Sequence, residues 1–391
     1  MKKSTMKPKL IVVDDESDIA KTVRDVANAQ GFDASWMDNA AEFSNLFHLD
    51  CDVLILDLFM PGVDGIELLR FLAEERIDAS IILMSGKDSP ILRSAREMAV
   101  ELGLTVLGTL KKPFKLVELE EVLNRYKGKV AKKTTDPPSG VELEKAIADK
   151  QLSVAYQPQV KMSDRSVIGF EALARWTHPD RGMVPPAHFI PLAEQHGLIS
   201  VITDYINQIA IRQCAKWRSE GLKHRLSINL SPKILVDLRF PEKLEKMARN
   251  NKIATEDIVL EVTETAVTEN MAKHIDILTR LRMKEFNLAI DDFGTGHSSL
   301  QQLIKVPFSE LKIDQAFVKF LDSDEECRSI TETSILLAHK LGMRVVAEGI
   351  ETESIWNMLQ DFDCDIGQGY WIGKPMPADE LGSWMASWSA G

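Results

Sequence analysis

Short apolar runs alternate with amphipathic stretches through the first 126 residues. The apolar runs are rich in β-branched residues and read "KLIVVDD", "DVLILDL", "SIILMSG" and "TVLGTLKKP". Between them, stretches such as "DIAKTVRDVANAQ" have the periodicity of an amphipathic helix. Continuous apolar strands that alternate with helices are typical of a parallel sheet covered on both faces. The pattern therefore predicts a doubly wound, five-stranded α/β domain over residues 1–126.

This alternation stops in a polar segment that is rich in lysine. Residues 127–140 read "KGKVAKKTTDPPSG" and contain four lysines followed by a Pro-Pro-Ser-Gly break. Such a composition cannot bury a core, so the segment is predicted to be a linker between two domains. A surface loop inside a single domain is the alternative that remains open.

A second and longer series of apolar runs follows over residues 141–391. The runs are "VIGFEALARW", "RLSINLS", "IVLEVTET", "NLAIDDFG", "ELKIDQ", "RVVAEGI" and "GQGYWIGKP", and helical stretches such as "HIDILTRLRMK" and "TSILLAHKLG" lie between several of them. Repeated strand and helix units over about 250 residues predict a TIM-like (β/α)8 barrel. A doubly wound open sheet is the alternative, because a strand count does not show closure.

Composition excludes several classes of function. A chain of 391 residues is expected to form two domains, with one large barrel as the competing interpretation. The net charge of -12 argues against a nucleic-acid-binding surface. The 4 cysteines are far apart and predict neither disulfides nor a zinc site. No apolar run is long enough for a signal-peptide core or a membrane span, so we expect a cytoplasmic protein.

Polar side chains lie in or at the ends of successive strands of the predicted barrel. They are Glu171, Asn229, Glu261, Asp291, Lys312 and Glu348. Because side chains alternate along a strand, Leu260 and Val262 should face the helices while Glu261 faces the barrel axis. Functional groups of such barrels lie at the carboxyl ends of the strands, so these side chains are expected to converge on one rim.

Carboxylates gathered in one place require a cation. Two like charges ~4 Å apart at an effective dielectric of 20 repel by about 4 kcal/mol. Oxygen ligands favour Mg²⁺ or Mn²⁺ over zinc or copper. Asp292 offers ligands for a second ion bridged by Asp291, an arrangement suited to phosphoester hydrolysis. Strand alternation turns only one of the two aspartates inward, so the turn at Phe293 and Gly294 is expected to bring in the other. For any single acidic residue, a solvated loop start is the competing interpretation.

From about residue 141 to the C-terminus the chain resembles the EAL domains, phosphodiesterases that linearise the bacterial second messenger cyclic di-GMP. The matching motifs occur in the family's order: "YQPQV", "FEALARW", "INLS", "EVTET", "DDFGTG", "LKID", "VVAEGIE" and "GQGY". The resemblance implies that a metal-activated hydroxide opens cyclic di-GMP to linear pGpG. The alternatives are a catalytically weak domain that binds cyclic di-GMP or a partner protein without cleavage, and a receiver-driven scaffold.

The resemblance also implies a role for each motif residue. One Mg²⁺ or Mn²⁺ ion would be held by Glu171, Asn229, Glu261 and Asp291, and a second by Asp291 and Asp292. Among the catalytic residues Glu171, Lys312 and Glu348, Lys312 would position and deprotonate the attacking water, and Glu348 would act on the second ion. The implied substrate or supporting contacts are Gln157, Arg175, Asp314, Gln368 and Glu351. Glu264 would fix the "DFGTG" loop, which in this family also contributes to dimers, so a homodimer or larger assembly is expected.

Three positions depart from the family pattern. His297 stands where tyrosine is usual, and both a neutral surface histidine and a pH-sensitive loop contact remain open. Gln315 and Lys374 stand where arginine is usual. These differences bear on loop packing and substrate affinity rather than on the metal ligands.

Residues 1–126 resemble the receiver domains of two-component response regulators. The motifs are "VVDDESD", "LILDLFMPGVDG", "LMSG" and "LKKPF", each after a predicted strand, where a doubly wound fold places its sites. The resemblance implies that a sensor histidine kinase phosphorylates Asp57. Asp14 and Asp15 would hold one Mg²⁺, and Ser85 and Lys112 would contact the phosphoryl oxygens. Thr109 replaces the usual aromatic switch residue, so activation through a dimer surface or through the barrel is expected instead.

Overall fold

Two units make up the chain, Met1–Thr134 and Thr135–Gly391. The computed structural model describes residues 7–38, 51–60, 63–75, 77, 79–86, 89–126, 138–263, 271–294 and 300–388. The predicted limits, 1–126 and 141–391 with a linker at 127–140, stay predictions because most of the linker lies outside the described residues.

A five-stranded parallel sheet forms the first unit, in the order β2-β1-β3-β6-β7. In chain order its elements are β1 (Lys9–Val13), α1 (Ser17–Ala29), β2 (Asp33–Met37), β3 (Val53–Asp57), β4 (Phe59–Met60), β5 (Val63–Asp64), α2 (Gly65–Glu74), β6 (Ser80–Ser85), α3 (Ser89–Glu101), β7 (Thr105–Lys111) and α4 (Leu116–Leu123). The doubly wound prediction is confirmed. The apolar pattern did not locate β2, because this edge strand has no buried residue.

Both faces of this sheet are covered, as the apolar strands require. Along β3, Val53 and Ile55 pack into the core on one face, and Leu54 and Leu56 pack into the core on the other. All five residues of β3 are buried, so Asp57 is buried at the end of the strand as well.

The second unit contains nine strands and ten α-helices within the described residues. In chain order they are α5 (Gly140–Ala148), β8 (Leu152–Lys161), β9 (Val167–His178), β10 (Gly182–Val184), α6 (Pro186–Gln195), α7 (Ile199–Ser219), β11 (Arg225–Leu230), α8 (Phe240–Asn250), β12 (Ile258–Thr263), α9 (Met271–Met283), β13 (Asn287–Phe293), α10 (Leu300–Lys305), β14 (Glu310–Ile313), α11 (Gln315–Val318), α12 (Glu325–Lys340), β15 (Arg344–Ala347), α13 (Glu353–Asp361), β16 (Ile366–Gly367) and α14 (Leu381–Trp388).

Eight of these strands close into a barrel, which confirms the barrel over the open sheet. Strands β9 and β11 to β16 run parallel in sequence order, and β8 pairs with both β16 and β9 to complete the ring. Strand β8 is antiparallel to both neighbours. Only residues 162–166 connect β8 to β9, too few for the crossover that parallel strands need. The short β10 pairs with the end of β9.

The predicted strand "GQGYWIGKP" is wrong for all but its first residue, because β16 ends at Gly367. At Gly369 the chain passes directly against Ile350, and a Cβ there would lie 2.2 Å from the backbone nitrogen and oxygen of Ile350. The backbone of Ile350 hydrogen-bonds to Gln368 and Trp371, so the segment turns around Ile350 instead of continuing the sheet.

None of the helices within the described ranges combines the length and the apolar character that crossing a membrane would need.

Candidate active site

The polar side chains at the carboxyl ends of the barrel strands converge on the ammonium group of Lys312. Its Nζ lies 2.7 Å from Glu261, 2.6 Å from Glu348, 3.0 Å from Asp291 and 3.8 Å from Glu171. Glu171, Glu261 and Asp291 lie within β9, β12 and β13, and Glu348 directly follows β15. Strand alternation explains the arrangement, since Leu311 and Ile313 pack into the core outside the barrel wall while Lys312 points inward. The side chain of Lys312 is only 1% exposed.

Burial and crowding control protonation in this cluster. Burial, with the negative charge of Glu171, raises the pKa of Glu261 well above its usual value. Burial also raises the pKa of Glu348 to about 8, although Lys312 opposes the shift. Burial lowers the pKa of Lys312, but the surrounding carboxylates raise it more, so its pKa lies above the ordinary value. Lys312 therefore stays charged and partly balances the carboxylates.

Glu171 is fixed in place by two amide donors. Asn229 Nδ2 donates to Oε1 at 2.7 Å, and Gln368 Nε2 donates to Oε2 at 2.6 Å. Burial raises the pKa of Glu171, but the charge of Lys312 and these two hydrogen bonds lower it more, so its pKa falls below the ordinary value. Glu171 is consequently held as a carboxylate with a defined orientation, as a metal ligand requires.

A chain of glutamines supports Glu171 from behind. Gln368 also donates to Gln157 Oε1 at 3.0 Å and accepts from Gln159 Nε2 at 2.9 Å. Gln157 and Gln368 are both buried and line the cleft beside the carboxylates, and their predicted contact with substrate stays a prediction. Gln159 was not predicted from the sequence, although this second glutamine of "YQPQV" lies two positions from Gln157 and therefore on the same face of β8.

The two adjacent aspartates do reach the same side of β13. The pairing register with β14 shifts between Ile290 and Phe293, and Asp292 has a left-handed backbone conformation with φ of 56°. This bulge lets Asp291, Asp292 and Glu348 each place an oxygen within 4.8 Å of the others. The distortion therefore lies between Ile290 and Phe293 and includes Asp292, so it comes before the turn at Phe293 and Gly294 that was predicted to cause it. Burial and the charge of Asp291 raise the pKa of Asp292 to about 7.

These groups fit a hard divalent ion. The donors are carboxylate oxygens from several strand ends, the ligand type that Mg²⁺ and Mn²⁺ prefer. Asp291 Oδ1 is buried and accepts no hydrogen bond within the described part of the chain, although it lies close to Lys312. Asn229 commits its Nδ2 to Glu171, so its carbonyl oxygen is the atom left for an ion.

Two of the remaining predicted contacts border a cleft of about 300 Å³ beside the carboxylates. Arg175 and Glu351 line this cleft, and Glu351 forms a 2.8 Å ion pair with Lys319. The side chain of Asp314 caps α11 by accepting a hydrogen bond from the amide of Ala316. The charge of Asp314 also raises the pKa of Asp292. Glu264 and His297 lie outside the described residues.

Lys319 and Tyr370 also line the cleft and were not predicted from the sequence. Lys319 lies four residues after Gln315, with no motif to mark it. Tyr370, by contrast, ends the quoted "GQGY" motif and is 59% exposed, with the ammonium of Lys374 5.5 Å from its ring. Gln315 packs its Cβ against Gly349, next to Glu348.

The receiver residues also meet at a lysine. Lys112 Nζ lies 2.7 Å from both Asp14 Oδ2 and Asp57 Oδ2, and all three side chains are buried. Ser85 is buried at the end of the neighbouring strand, and its carbonyl oxygen accepts from the amide of Lys112 at 2.7 Å. Thr109 lies further back in β7, opposite Leu83.

An acidic triplet beside Lys112 could hold one divalent ion. Asp14, Glu16 and Asp57 each offer an oxygen within 4.8 Å of the others. Asp15, which was predicted to share the ion with Asp14, is exposed, and its role stays a prediction. Glu16 was missed, although the third acid of "DDE" was visible in the sequence. Burial raises the pKa of Asp14, while Lys112 opposes the shift.

Comparison with known proteins agrees with this geometry. The EAL domain family matches residues 141–375, and the response regulator receiver domain family matches residues 10–124. The chain belongs to the EAL family. EAL domains are metal-dependent phosphodiesterases, and the barrel unit of this EAL protein has an acidic cluster that could bind a metal ion.

Individual relatives share one or both units with this EAL protein. The cyclic di-GMP phosphodiesterase RocR of Pseudomonas aeruginosa is 32% identical over 332 residues, which cover 83% of this chain and 84% of RocR. The cyclic di-GMP phosphodiesterase PA2567 of the same organism is 37% identical over 232 residues, 59% of this chain and 40% of PA2567. The solved complex of the PaMucR phosphodiesterase with c-di-GMP has a TM-score of 0.59 and 35% identity, and covers 62% of this chain and 98% of that chain.

Proposed function

We propose that this EAL protein is a phosphorylation-regulated phosphodiesterase that hydrolyses cyclic di-GMP to linear pGpG as the output of a two-component system. The observation that carries the proposal is the gathering of Glu171, Glu261, Asp291 and Glu348 around Lys312 at the carboxyl end of the barrel. The similarity to RocR along both units supports the combination of receiver and phosphodiesterase.

Two divalent ions, Mg²⁺ or Mn²⁺, are proposed for the barrel site. Glu171, Asn229, Glu261 and Asp291 would hold the first, and Asp292 and Glu348 would join Asp291 at the second. When bound, such ions make water a better nucleophile near neutral pH and neutralise the phosphate of an anionic substrate. An acidic cleft can in this way accept a negatively charged cyclic dinucleotide.

The side chains of the chain itself position the reactants. Lys312 is immobilised by carboxylates on several sides, so its ammonium can donate a hydrogen bond to the attacking water and keep it in line with the scissile bond. Gln368 and Asn229 hold Glu171, which prevents this ligand from rotating away. Arg175 and Glu351 line the adjoining cleft, where they can contact the substrate.

The receiver unit is proposed to accept a phosphoryl group on Asp57 from a sensor histidine kinase. Lys112 already contacts the Asp57 carboxylate and can pair with a phosphoryl oxygen in the same place. Asp14, with Glu16 or Asp15, would hold one Mg²⁺ beside it. We also propose a homodimer or larger assembly, as the family resemblance implies.

Product formation tests the enzyme directly. Purified protein is incubated with cyclic di-GMP and Mg²⁺, with and without acetyl phosphate as a small phosphodonor, and linear pGpG is followed by chromatography. Glu171→Ala is expected to abolish product while the circular dichroism spectrum is unchanged, because one fixed ligand of the first ion is lost. Glu144→Ala, an exposed glutamate of α5, is the matched control and should match the parent. Binding of cyclic di-GMP without product in the parent would support the weak-domain alternative and refute the enzyme.

Regulation is tested separately with Asp57→Asn. This variant should hydrolyse cyclic di-GMP at the parent's rate without phosphodonor, but its rate should not change when acetyl phosphate is added. Asp33→Asn, on the exposed edge strand β2, is the control and should respond like the parent. An equal response of parent and Asp57→Asn would show that phosphorylation acts elsewhere or not at all.

A further inference from the structure

A separate cavity lies at the end of the barrel where the parallel strands begin. It measures about 440 Å³, within the range of about 300–1,000 Å³ that is usual for small-molecule sites. Its walls include Arg225, Arg344 and Ile366, the first residues of β11, β15 and β16. Glu348 follows the last residue of β15, so the length of a strand separates this cavity from the carboxylates. We call it the amino-end cavity.

Three cationic side chains line the amino-end cavity. Lys161 ends β8, Arg225 begins β11 and Arg344 begins β15, so the charges come from three different strands. The side chains of Lys161 and Arg344 are about half exposed, whereas that of Arg225 is mostly buried. The positive charge therefore extends from the mouth of the cavity to its inner wall.

The two arginines share a single buried carboxylate. Arg225 Nη2 donates to both oxygens of Glu310, at 2.6 and 2.7 Å, and Arg344 Nη2 donates to its Oε1 at 2.7 Å. One carboxylate against two guanidinium groups leaves positive charge in excess. Arg225 Nε is also buried and donates no hydrogen bond within the part of the chain that the structure describes. A buried donor without an acceptor costs free energy, which a ligand with an acceptor would recover.

Two aspartates on the same wall do not remove this excess. Asp365 Oδ2 accepts a hydrogen bond from the amide of Val345 at 2.8 Å and lies 2.9 Å from His339 Nε2, so this carboxylate is already engaged. Asp363 is exposed, where water and salt screen its charge. An anion inside the cavity would therefore meet the guanidinium groups as its nearest available partners.

The size and the apolar part of the cavity indicate more than an inorganic ion. A lone phosphate would leave most of the 440 Å³ unfilled. Beside the cationic groups, the lining includes the apolar side chains of Met162, Ile168, Cys364 and Ile366. Such a surface favours an organic group, because contact removes apolar area from water.

We propose that the amino-end cavity binds a small organic phosphate. The planar guanidinium groups of Arg225 and Arg344 pair with phosphate oxygens, which match their geometry. The organic part lies against Met162 and Ile168. Lys161 adds a third positive charge at the mouth, so a phosphate dianion is favoured over a carboxylate with one charge. This site does not depend on the proposed function, because it uses none of the groups at the carboxyl end of the barrel.

Calorimetric titration of the full chain with phenyl phosphate in a chelating buffer tests the site. The parent protein should bind one molecule per chain. Arg344→Gln should raise Kd about tenfold, equivalent to about 1.4 kcal/mol, because glutamine keeps a donor but loses the charge and the planar pair of donors. Lys161→Gln should raise Kd about threefold. Lys246→Gln, at an exposed lysine of α8, is the matched control and should leave Kd unchanged.

Two further variants distinguish the amino-end cavity from other places where an anion could bind. Lys112→Gln removes the lysine beside Asp57 in the receiver unit. Arg175→Gln combined with Lys319→Gln removes two cations of the carboxylate cleft. Both proteins should bind phenyl phosphate like the parent, and loss of binding in either one assigns the ligand to that other site and overturns the proposal.

The choice of ligand is tested with two more probes. Inorganic phosphate should bind at least threefold more weakly than phenyl phosphate, because it cannot use the apolar wall. Benzoate has the ring without the phosphate and should bind at least tenfold more weakly. Equal binding of inorganic phosphate contradicts the organic part of the ligand, and equal binding of benzoate contradicts the phosphate.

Two results for the cavity itself overturn the proposal. One is the absence of saturable binding by the parent protein. The other is an unchanged Kd in Arg344→Gln together with a lower melting temperature, which shows that this arginine serves only to hold Glu310. If Arg344→Gln does not fold, Ile168→Trp fills the cavity from β9 without changing its charge and should raise Kd at least tenfold. An unchanged Kd in Ile168→Trp then overturns the proposal.

Discussion

Replacing Lys312 with methionine removes the ammonium group that lies within 3.8 Å of four carboxylates of the barrel site. The side chain is 1% exposed, and its Nζ lies within 3.0 Å of three carboxylates. Breaking a buried ion pair by deleting one partner costs about 3–5 kcal/mol. Unbalanced carboxylates at ~4 Å would repel by about 4 kcal/mol per pair, and protonation limits this repulsion. We therefore expect Lys312→Met to lower the free energy of unfolding by about 3–5 kcal/mol at pH 7 without divalent ions.

The pH dependence of this loss has a defined sign. Without Lys312, the pKa values of Glu261 and Glu348 rise further above their unfolded values, since burial and like charges already raise them. A carboxyl group with a raised pKa destabilises the folded protein when it must ionise. The loss should consequently be largest above pH 8 and smallest below pH 5. Mg²⁺ should stabilise the variant more than the parent, because it restores positive charge to the folded state.

Urea unfolding followed by tryptophan fluorescence measures the effect in a chelating buffer. Six of the 7 tryptophans lie after residue 141, so the signal reports mainly the barrel unit. Lys340→Met, an exposed lysine at the end of α12, is the matched control and should unfold within about 0.5 kcal/mol of the parent. If Lys312→Met also unfolds within about 0.5 kcal/mol of the parent at pH 7, the electrostatic reasoning for this cluster is wrong.

Two further predictions concern positions next to the sites. Gly349→Ala should destabilise the barrel and lower kcat, because Gly349 has φ of 75° and a Cβ would lie 2.5 Å from Gln315, displacing the neighbouring Glu348. Gly342 has a similar φ, but a Cβ there would have no atom within 4 Å. The control Gly342→Ala should therefore lower the free energy of unfolding by only about 1–2 kcal/mol and leave kcat unchanged. Glu142→Ala should lower the free energy of unfolding at pH 7 by about 1 kcal/mol or less, since hydrogen bonds from Ser139 and Arg181 hold the pKa of Glu142 at about 2. The difference in unfolding free energy from the parent should vanish as the pH falls from about 4.5 towards 2. A constant difference over that range would contradict the role given to these hydrogen bonds.

Residue patterns were enough to place the central strands and the inward-facing groups. The direction of a side chain on a strand depends only on its neighbours, so Glu261 between Leu260 and Val262 was correctly oriented from the sequence. The strand order that brings Glu261 to Lys312 followed from the alternation of strands and helices.

Features that depend on distant contacts were not accessible in this way. The turn after β16 follows from the approach of Gly369 to Ile350, and no local pattern encodes that contact. The left-handed backbone of Asp292 is a conformation that residues other than glycine rarely adopt, and the surrounding barrel holds Asp292 in it. Asn207 is a buried polar residue on the apolar face of α7, and whether such a residue has a partner depends on helices and strands far along the chain.

The reversed direction of β8 decides where the chain enters the barrel. Leu152, at the start of β8, pairs with Trp176 near the carboxyl end of β9, so the entry point is at the same end of the barrel as Lys312. Helix α5 precedes it and packs its Leu143 into one core with Phe189 of α6. The backbone at residue 138 is thus joined, through α5, to the end of the barrel that carries Lys312. For protein engineering, a replacement unit joined at residue 138 would therefore be attached, through α5, to that same end of the barrel.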